Sequence, residues 1–355
     1  MKVLFTGGFS LGPVTPLLAV SEEVRKRDPM VEVFWIGTRR GPERKLISEY
    51  NIPFKAIIAG KFRRYISFKN IADNIHFVVG FFQSLAYLLQ KRPDVIVSAG
   101  GFVSVPVVMA GWILRIPSLI HQQDVRPGLA NKLMSVFAKK ITVAFKPTMK
   151  AFPKEKTVWI GNPVREDIFH RNKQEALEYF DLSKDKPVLF IMGGGTGAKR
   201  INEIVDAALP ELLKFCQIIH ITGIGKAGER KELSGYRRFQ LLTEGMVYAY
   251  DAADLVVSRA GMGALTELAA LQKPSIIIPM PDTHQEDNTE IFEHSNAIQY
   301  LRQNTLNPKR FIEKIKYTFD NIDRYEERAK NMPLVLPRGA KVKMTDEIFK
   351  LGEKK

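Results

Sequence analysis

Cysteine is almost absent: Cys216 stands alone among 355 residues, so no internal disulfide can form and no cysteine-based metal site exists. It sits in the apolar stretch Leu212-Leu213-Lys214-Phe215-Cys216, which reads as a buried small hydrophobe in a reducing compartment. Long apolar runs are scarce too. The longest uncharged run, Val95 to Leu114, reaches membrane-spanning length but holds three internal glycines and a proline, and predicts a buried strand, a turn and a helix start. The opening Lys2-Val3-Leu4-Phe5-Thr6-Gly7 meets glycine too soon for a secretory signal. Acids are outnumbered, 38 against 53 bases, and the net charge of +15 points to an anionic partner. Neither a zinc-knuckle spacing nor an aromatic-rich single-strand-binding motif occurs, which argues against nucleic acid and leaves anionic lipid or a phosphorylated substrate.

What is present is the composition of a folded protein, 45% hydrophobic and 26% charged, in a chain longer than one core usually organises. Short apolar runs at Val3-Leu4-Phe5, Val31 to Ile36, Val95-Ile96-Val97, Ser118-Leu119-Ile120 and Ile141-Thr142-Val143 alternate with amphipathic stretches, the rhythm of a doubly wound parallel sheet. A helix is predicted from Pro16 to Val24, with its proline in the first turn. The rhythm stops near Gly161-Asn162-Pro163-Val164-Arg165 and restarts with Pro187 to Met192, Gln217 to Ile221, Leu255-Val256-Val257 and Ser275 to Ile278. The reading is therefore an α/β chain with a first domain over 1–165 and a second over 166–340, the charged segment 171–186 acting as linker region. A last helix over 341–355 could pack on either.

Chemistry concentrates in four loops. Thr6-Gly7-Gly8-Phe9-Ser10-Leu11-Gly12-Pro13 joins a strand to a helix, and its glycines suit either a tight turn alone or close approach of a phosphate or sugar to free amides. Gly193-Gly194-Gly195-Thr196-Gly197-Ala198-Lys199-Arg200 adds two cations to a nest of amides, which suits a diphosphate. It lacks both the lysine-serine ending of a P-loop and the dinucleotide spacing. In Ser258-Arg259-Ala260-Gly261-Met262-Gly263-Ala264-Leu265-Thr266-Glu267, a carboxylate early in a helix either accepts two ribose hydroxyls or complements the helix dipole. The polar loop Pro279 to Asn288 either binds sugar hydroxyls or is simply a loop.

Together these pieces resemble the MurG family, transferases that add N-acetylglucosamine from UDP to the lipid-linked muramoyl-peptide precursor of peptidoglycan. Matching segments also include Gly100-Gly101-Phe102-Val103-Ser104-Val105-Pro106, His121-Gln122-Gln123-Asp124, Gly128-Leu129-Ala130-Asn131-Lys132 and His284-Gln285 with Asn288, in order over nearly the whole chain. The resemblance implies a GT-B architecture, two doubly wound domains facing across a cleft, with the nucleotide sugar held mainly by the second. It implies that Glu267 binds the ribose, that Gly194, Gly195 and Thr196 with Arg165 bind the diphosphate, and that uracil lies near Leu242 and Thr243. Arg259 joins this donor set, and His284 with Gln285 binds the sugar. Gly7, Gly8, Ser10 and Gly12, with Phe102 and Asn131, fall to the acceptor. Such enzymes invert the anomeric centre without a bound metal, UDP-N-acetylglucosamine being a substrate and not a cofactor. They work peripherally, on the cytoplasmic face of the cell membrane.

Three departures touch the catalytic base. Pro13 stands where the family usually has histidine, His121-Gln122-Gln123-Asp124 replaces His-Glu-Gln-Asn, and Gly195 replaces serine. Asp124 or His121 is left to supply the base or to orient it. Lys61, Arg63, Arg64, Lys69, Lys91 and Arg92 surround the apolar stretch Ile75 to Leu89, which suits an anionic bilayer surface as well as a core helix with solvated ends. Competing readings are a transferase acting on another glycolipid, a UDP-N-acetylglucosamine 2-epimerase, which needs no lipid acceptor, and a non-catalytic UDP-sugar binder, which would bind donor without transfer.

Overall fold

The structure is a computed structural model that describes residues 1–60, 69–169, 172–194, 197–226, 233–242 and 245–353, with side chains throughout except in 69–74. It divides into two compact units, Met1–Arg165 with Pro337–Lys355, and Glu166–Leu336.

In the first unit the order is β1 (Lys2–Thr6), α1 (Thr15–Arg27), β2 (Glu32–Thr38), α2 (Glu43–Glu49), β3 (Phe54–Ile57), α3 (Lys69–Lys91), β4 (Val95–Ser98), α4 (Ser104–Ile113), β5 (Ser118–Gln122), α5 (Leu129–Phe137), β6 (Lys140–Val143) and β7 (Thr157–Trp159). All seven strands are parallel, in the order β3-β2-β1-β4-β5-β6-β7. A parallel sheet with helices over both faces has no solvated side, which is why Val3-Leu4-Phe5 and Val95-Ile96-Val97 are apolar without alternation. Val3 and Phe5 point into the core under α1, and Leu4 points to the opposite core with Val105, Val108 and Met134. The run 95–114 is a strand, a turn and a helix, as the sequence predicts.

The second unit contains α6 (Lys173–Tyr179), β8 (Val188–Met192), α7 (Lys199–Leu212), β9 (Gln217–Ile221), β10 (Tyr236–Phe239), α8 (Met246–Ala252), β11 (Leu255–Ser258), α9 (Met262–Leu271), β12 (Ser275–Ile277), α10 (His284–His294), β13 (Gln299–Tyr300), α11 (Pro308–Phe319), α12 (Ile322–Ala329) and α13 (Met332–Val335). Its six parallel strands run β10-β9-β8-β11-β12-β13. Cys216 lies in its core with the thiol pushed up to about 12 by burial, an inert hydrophobe.

Two expectations need correction. The segment 171–186 is not a linker, because α6 packs on α8 and is tied there by Asn172 N donating to Asp251 Oδ2 at 2.9 Å and Tyr248 OH to Glu175 Oε1 at 3.0 Å. The second unit ends at Leu336, four residues short of 340, and the last helix, α14 (Ala340–Gly352), belongs with the first unit. Met344 and Ile348 of α14 join the core beneath α1, and the Cβ that Gly161 lacks would sit 2.4 Å from Pro337 O. The returning chain therefore needs glycine at 161, where φ is +88°.

In each sheet the direction of winding reverses once, between β1 and β4 and between β8 and β11. Ligands of open α/β sheets bind at the carboxyl ends of strands at such a reversal. The glycine-rich loops after β1, β4, β8 and β11 stand at these two places.

Candidate active site

In the first unit three loops meet beyond β1, β4 and β5. A Cβ on Gly101 would lie 3.1 Å from Gly8 O, and one on Gly7 would lie 3.6 Å from Gly100 O, so the first two loops pass backbone against backbone. Gly100 and Gly101 hold φ of +104° and +90°, values that side chains resist. Gln123, buried at the end of β5, donates to Gly12 O at 3.1 Å and to Ala99 O at 3.5 Å, bracing all three loops. The helices leaving them, α1, α4 and α5, start at Val14, Val103 and Gly128 without a side-chain cap or an acid in the first turn. Uncapped helix N-termini carry free amides and partial positive charge, the requirement for an anion cradle. Gly7 and Gly8 line this junction buried, while Ser10 and Gly12 are exposed and Phe102 is half-buried.

His121 is enclosed completely: Nδ1 meets Thr142 Oγ1 at 3.0 Å and Nε2 meets Asn162 Oδ1 at 2.8 Å. Burial pulls its pKa from the ordinary 6.5 to about 4, and neither nitrogen is left for an acceptor hydroxyl. The geometry thus favours the orienting role for His121 over that of the base. Gln122, where the family has glutamate, donates to Asp124 O at 2.8 Å and accepts from Asn131 Nδ2 at 2.6 Å. An amide does both; a carboxylate cannot donate. Asn131 also donates to His121 O at 3.0 Å, and its buried Oδ1 has no hydrogen-bond partner among the described residues, facing the side where Gly100 lacks a Cβ. An orphan acceptor of this kind costs about 1–3 kcal/mol until a ligand or solvent donor reaches it. Asp124 is half-buried on the same loop. Arg165 is half-buried and is the last residue of this unit.

The second unit builds its loops differently. After β8, Gly193 lies where a Cβ would meet Ala198 N at 2.3 Å, and Gly197 where one would meet Thr222 O at 2.2 Å. Gly194, at φ +79°, has open space around it. Gly195 and Thr196, and Thr243 of the expected uracil site, lie outside the described residues. The helix α7 then starts uncapped with exposed Lys199 and Arg200, a charge pattern that opposes the helix dipole unless an anion sits there. Leu242 is half-buried over Gly245, whose Cβ would lie 2.7 Å from Leu242 Cδ1.

Glu267 is in the second turn of α9, half-buried, with Oε2 accepting from Tyr250 OH at 2.8 Å. Tyr250 is wholly buried beneath it, edge-on to Phe190 at 5.4 Å. Sequence reading missed Tyr250 and Gln123 because their partners are 17 and up to 111 positions away. Arg259, expected on the donor, is buried: Nη1 donates to Ile278 O and Pro279 O at 3.0 and 2.9 Å, and Nη2 to Gln303. These bonds shape the loop after β12, and desolvation lowers the pKa of Arg259. On that loop Thr283 caps α10, Met280 N donates to Gln285 Oε1 at 3.1 Å, and His284 is exposed. With its N-terminus capped and acids in its first turn, α10 suits neutral hydroxyls better than phosphate. Among the described residues no cluster of three or more histidine, cysteine or acidic side chains could hold a metal ion.

Comparison with known proteins covers both units. Residues 3–143 match the glycosyltransferase family 28 N-terminal domain, and 188–345 its C-terminal domain. A UDP-N-acetylglucosamine–N-acetylmuramyl-(pentapeptide) pyrophosphoryl-undecaprenol N-acetylglucosamine transferase of Bacillus cereus is 40% identical over 334 residues, 93% of this chain and 94% of that one. The corresponding transferase of Lachnoclostridium phytofermentans is 37% identical over 335 residues, again 93% and 94% of the two chains. The crystal structure of Acinetobacter baumannii MurG superposes with a TM-score of 0.76 at 26% identity, over 98% of this chain and 99% of that one. A UDP-GlcNAc 2-epimerase from Neisseria meningitidis shares the fold at 14% identity, with a TM-score of 0.70 over 99% and 100% of the chains. With both family domains present in order and such identity over its length, the chain belongs to glycosyltransferase family 28, among the MurG transferases of GT-B architecture.

Proposed function

We propose that this chain transfers N-acetylglucosamine from UDP-N-acetylglucosamine, with inversion, to a hydroxyl of a lipid-linked muramoyl-pentapeptide diphosphate. The observation that carries the reading is the 40% identity, over 93% of the chain, to a transferase named for that reaction. The geometry supports it from both units. In this reading Glu267, braced by Tyr250, accepts the ribose hydroxyls, and the uncapped start of α7 with Gly194 and Lys199 meets the diphosphate. Leu242 and Thr243 take the uracil in the same reading, and Gln285 with His284 binds the sugar. Arg165 adds positive charge for the departing UDP, and Gly195 and Thr196, outside the described residues, meet its diphosphate. On the acceptor side, Gly7, Gly8, Ser10, Gly12, Phe102 and Asn131 surround three helix N-termini suited to a diphosphate. Asp124 takes the proton from the attacking hydroxyl as the C–O bond to UDP breaks and the new glycosidic bond forms. No cofactor or metal enters this scheme. Labelled donor incubated with the lipid-linked muramoyl-pentapeptide should yield labelled lipid; turnover of donor with no lipid product would overturn the reading.

We further propose that the first unit docks peripherally on an anionic membrane, at its cytoplasmic face. No helix among the described residues is long and apolar enough to cross a membrane. Ile75, Val78, Phe82 and Leu89 form an exposed stripe on α3, which packs on α4. Trp112 and Ile113 at the end of α4 and Val136 on α5 are exposed as well. Of the flanking cations, Lys61, Arg63 and Arg64 lie outside the described residues, as does the Lys69 side chain, whereas Lys91 is half-buried over the Phe34 ring and Arg92 is exposed.

A further inference from the structure

Glu43 opens α2 and is wholly buried. Its carboxylate accepts from Thr38 N at 2.7 Å, from the Thr38 hydroxyl and from Phe9 N at 3.2 Å. Desolvating a carboxylate costs several kcal/mol, so a buried one persists only where donors surround it. Glycines make the room: a Cβ on Gly8 would lie 2.2 Å from Oε1, one on Gly41 1.8 Å from Oε2, and one on Gly37 3.2 Å from Oε1. An acid that merely complemented the dipole of α2 would need neither this socket nor a partner 34 positions away.

That partner is strained. Phe9 holds φ at +73°, the left-handed region that side chains resist, while its ring is 56% exposed and gains little from burial. Strain of this kind survives where neighbours fix it, and it gathers at ligand sites. Here Glu43 fixes the amide of Phe9, Trp35 Nε1 holds Gly7 O at 3.0 Å, and the Gly101 backbone rests against Gly8. The shape of the first loop, and its fit to the second, therefore depend on a residue that lies outside every glycine-rich motif.

We propose that Glu43 is a positioning residue for the acceptor: through Phe9 N it locks the Gly7–Gly12 loop in the form that receives the acceptor head group, without touching the acceptor itself. This rests on the acceptor-side reading above. The test is steady-state kinetics of wild type, Glu43→Gln, Glu43→Ala, Phe9→Gly and the Glu43→Ala/Phe9→Gly double variant, with UDP-N-acetylglucosamine and the lipid-linked muramoyl-peptide varied in turn. Loss of the carboxylate in Glu43→Ala should raise the acceptor KM about tenfold while the donor KM stays within about twofold, and Glu43→Gln, which keeps one acceptor oxygen, should fall between. Glycine takes a positive φ freely, so the Phe9→Gly background should shrink the effect of Glu43→Ala. Thermal melting identifies any variant that fails to fold; if Glu43→Ala does, Glu43→Gln and Thr38→Val carry the same comparison. Acceptor KM unchanged in folded variants, or donor KM rising in step with it, would overturn the proposal. A wild type that makes no lipid product would bring down the functional reading itself, before any variant is compared.

Discussion

Glu267, proposed above to bind the ribose, is held by a single contact from Tyr250. The hydroxyl of a fully buried tyrosine holds one carboxylate oxygen at 2.8 Å, fixing the rotamer before any ribose arrives. Tyr250→Phe should therefore raise the KM for UDP-N-acetylglucosamine about three- to tenfold with little change in kcat, one hydrogen bond from a neutral donor to a carboxylate being lost. An unchanged donor KM would show that Glu267 needs no such brace. Asp124 is a sharper test. If it is the base, Asp124→Asn should lower kcat by about two to four orders of magnitude while calorimetry finds donor affinity intact; full turnover would exclude it. His121, sealed between Thr142 and Asn162, leaves Asp124 the better placed of the two expected residues. Asp124 was legible as a carboxylate in a motif where the family has an amide, but the burial of His121 was not. A histidine at the end of an apolar strand looks the same in a sequence whichever face it takes.

The elements that carry the site are its strand-to-helix turns, and their chemistry follows from what is missing at each helix start. Five helices that leave these loops, α1, α4, α5, α7 and α9, begin without a capping side chain, whereas α10 is capped by Thr283. Glycine spacing made the first and second loops readable, since no other residue tolerates those close approaches. The short strands β3, β7, β10 and β13 were not readable, because edge strands of two to four residues carry too few apolar positions to set a period. On α3 the sequence left a core helix and a membrane face both open. The structure assigns part of each: Leu88 and Ser84 are buried, while Ile75, Val78 and Phe82 face outward. If this face docks on lipid, Phe82→Asp combined with Val136→Asp should abolish flotation with anionic vesicles at low salt and leave thermal stability unchanged, both side chains being exposed. Flotation equal to wild type would sink that proposal.

At the scale of the whole molecule, each unit keeps one histidine neutral in its interior. His121 in the first is lowered to about 4 and His220 in the second to about 3, both chiefly by burial. His220 spans Tyr236 OH at 2.9 Å and Asn202 Oδ1 at 3.1 Å. Below the unfolded value of 6.5 the unfolded chain takes up protons that the folded one refuses, so stability should be full above that pH and fall as pH drops from 6.5 toward 4 and then 3. Thermal melts of His121→Asn and His220→Asn variants should lose part of this slope; a wild-type melting temperature flat between pH 7 and 5 would contradict the assignment.

The sequence alone determined the α/β class, the two parallel sheets and the glycine-rich strand-to-helix turns. Apolar runs and glycines act locally, and their periods and spacings are written in consecutive residues. Tertiary structure decided what depends on contacts between distant positions. It returned α14 to the first unit through Met344 and Ile348, drew 171–186 into the second, and turned Arg259 inward onto Ile278 and Pro279. It also set Tyr250 beneath Glu267 and closed Glu43 against Phe9. Each of these is a polar or apolar group finding its partner across the fold, and burial, which no local pattern encodes, chose the partner.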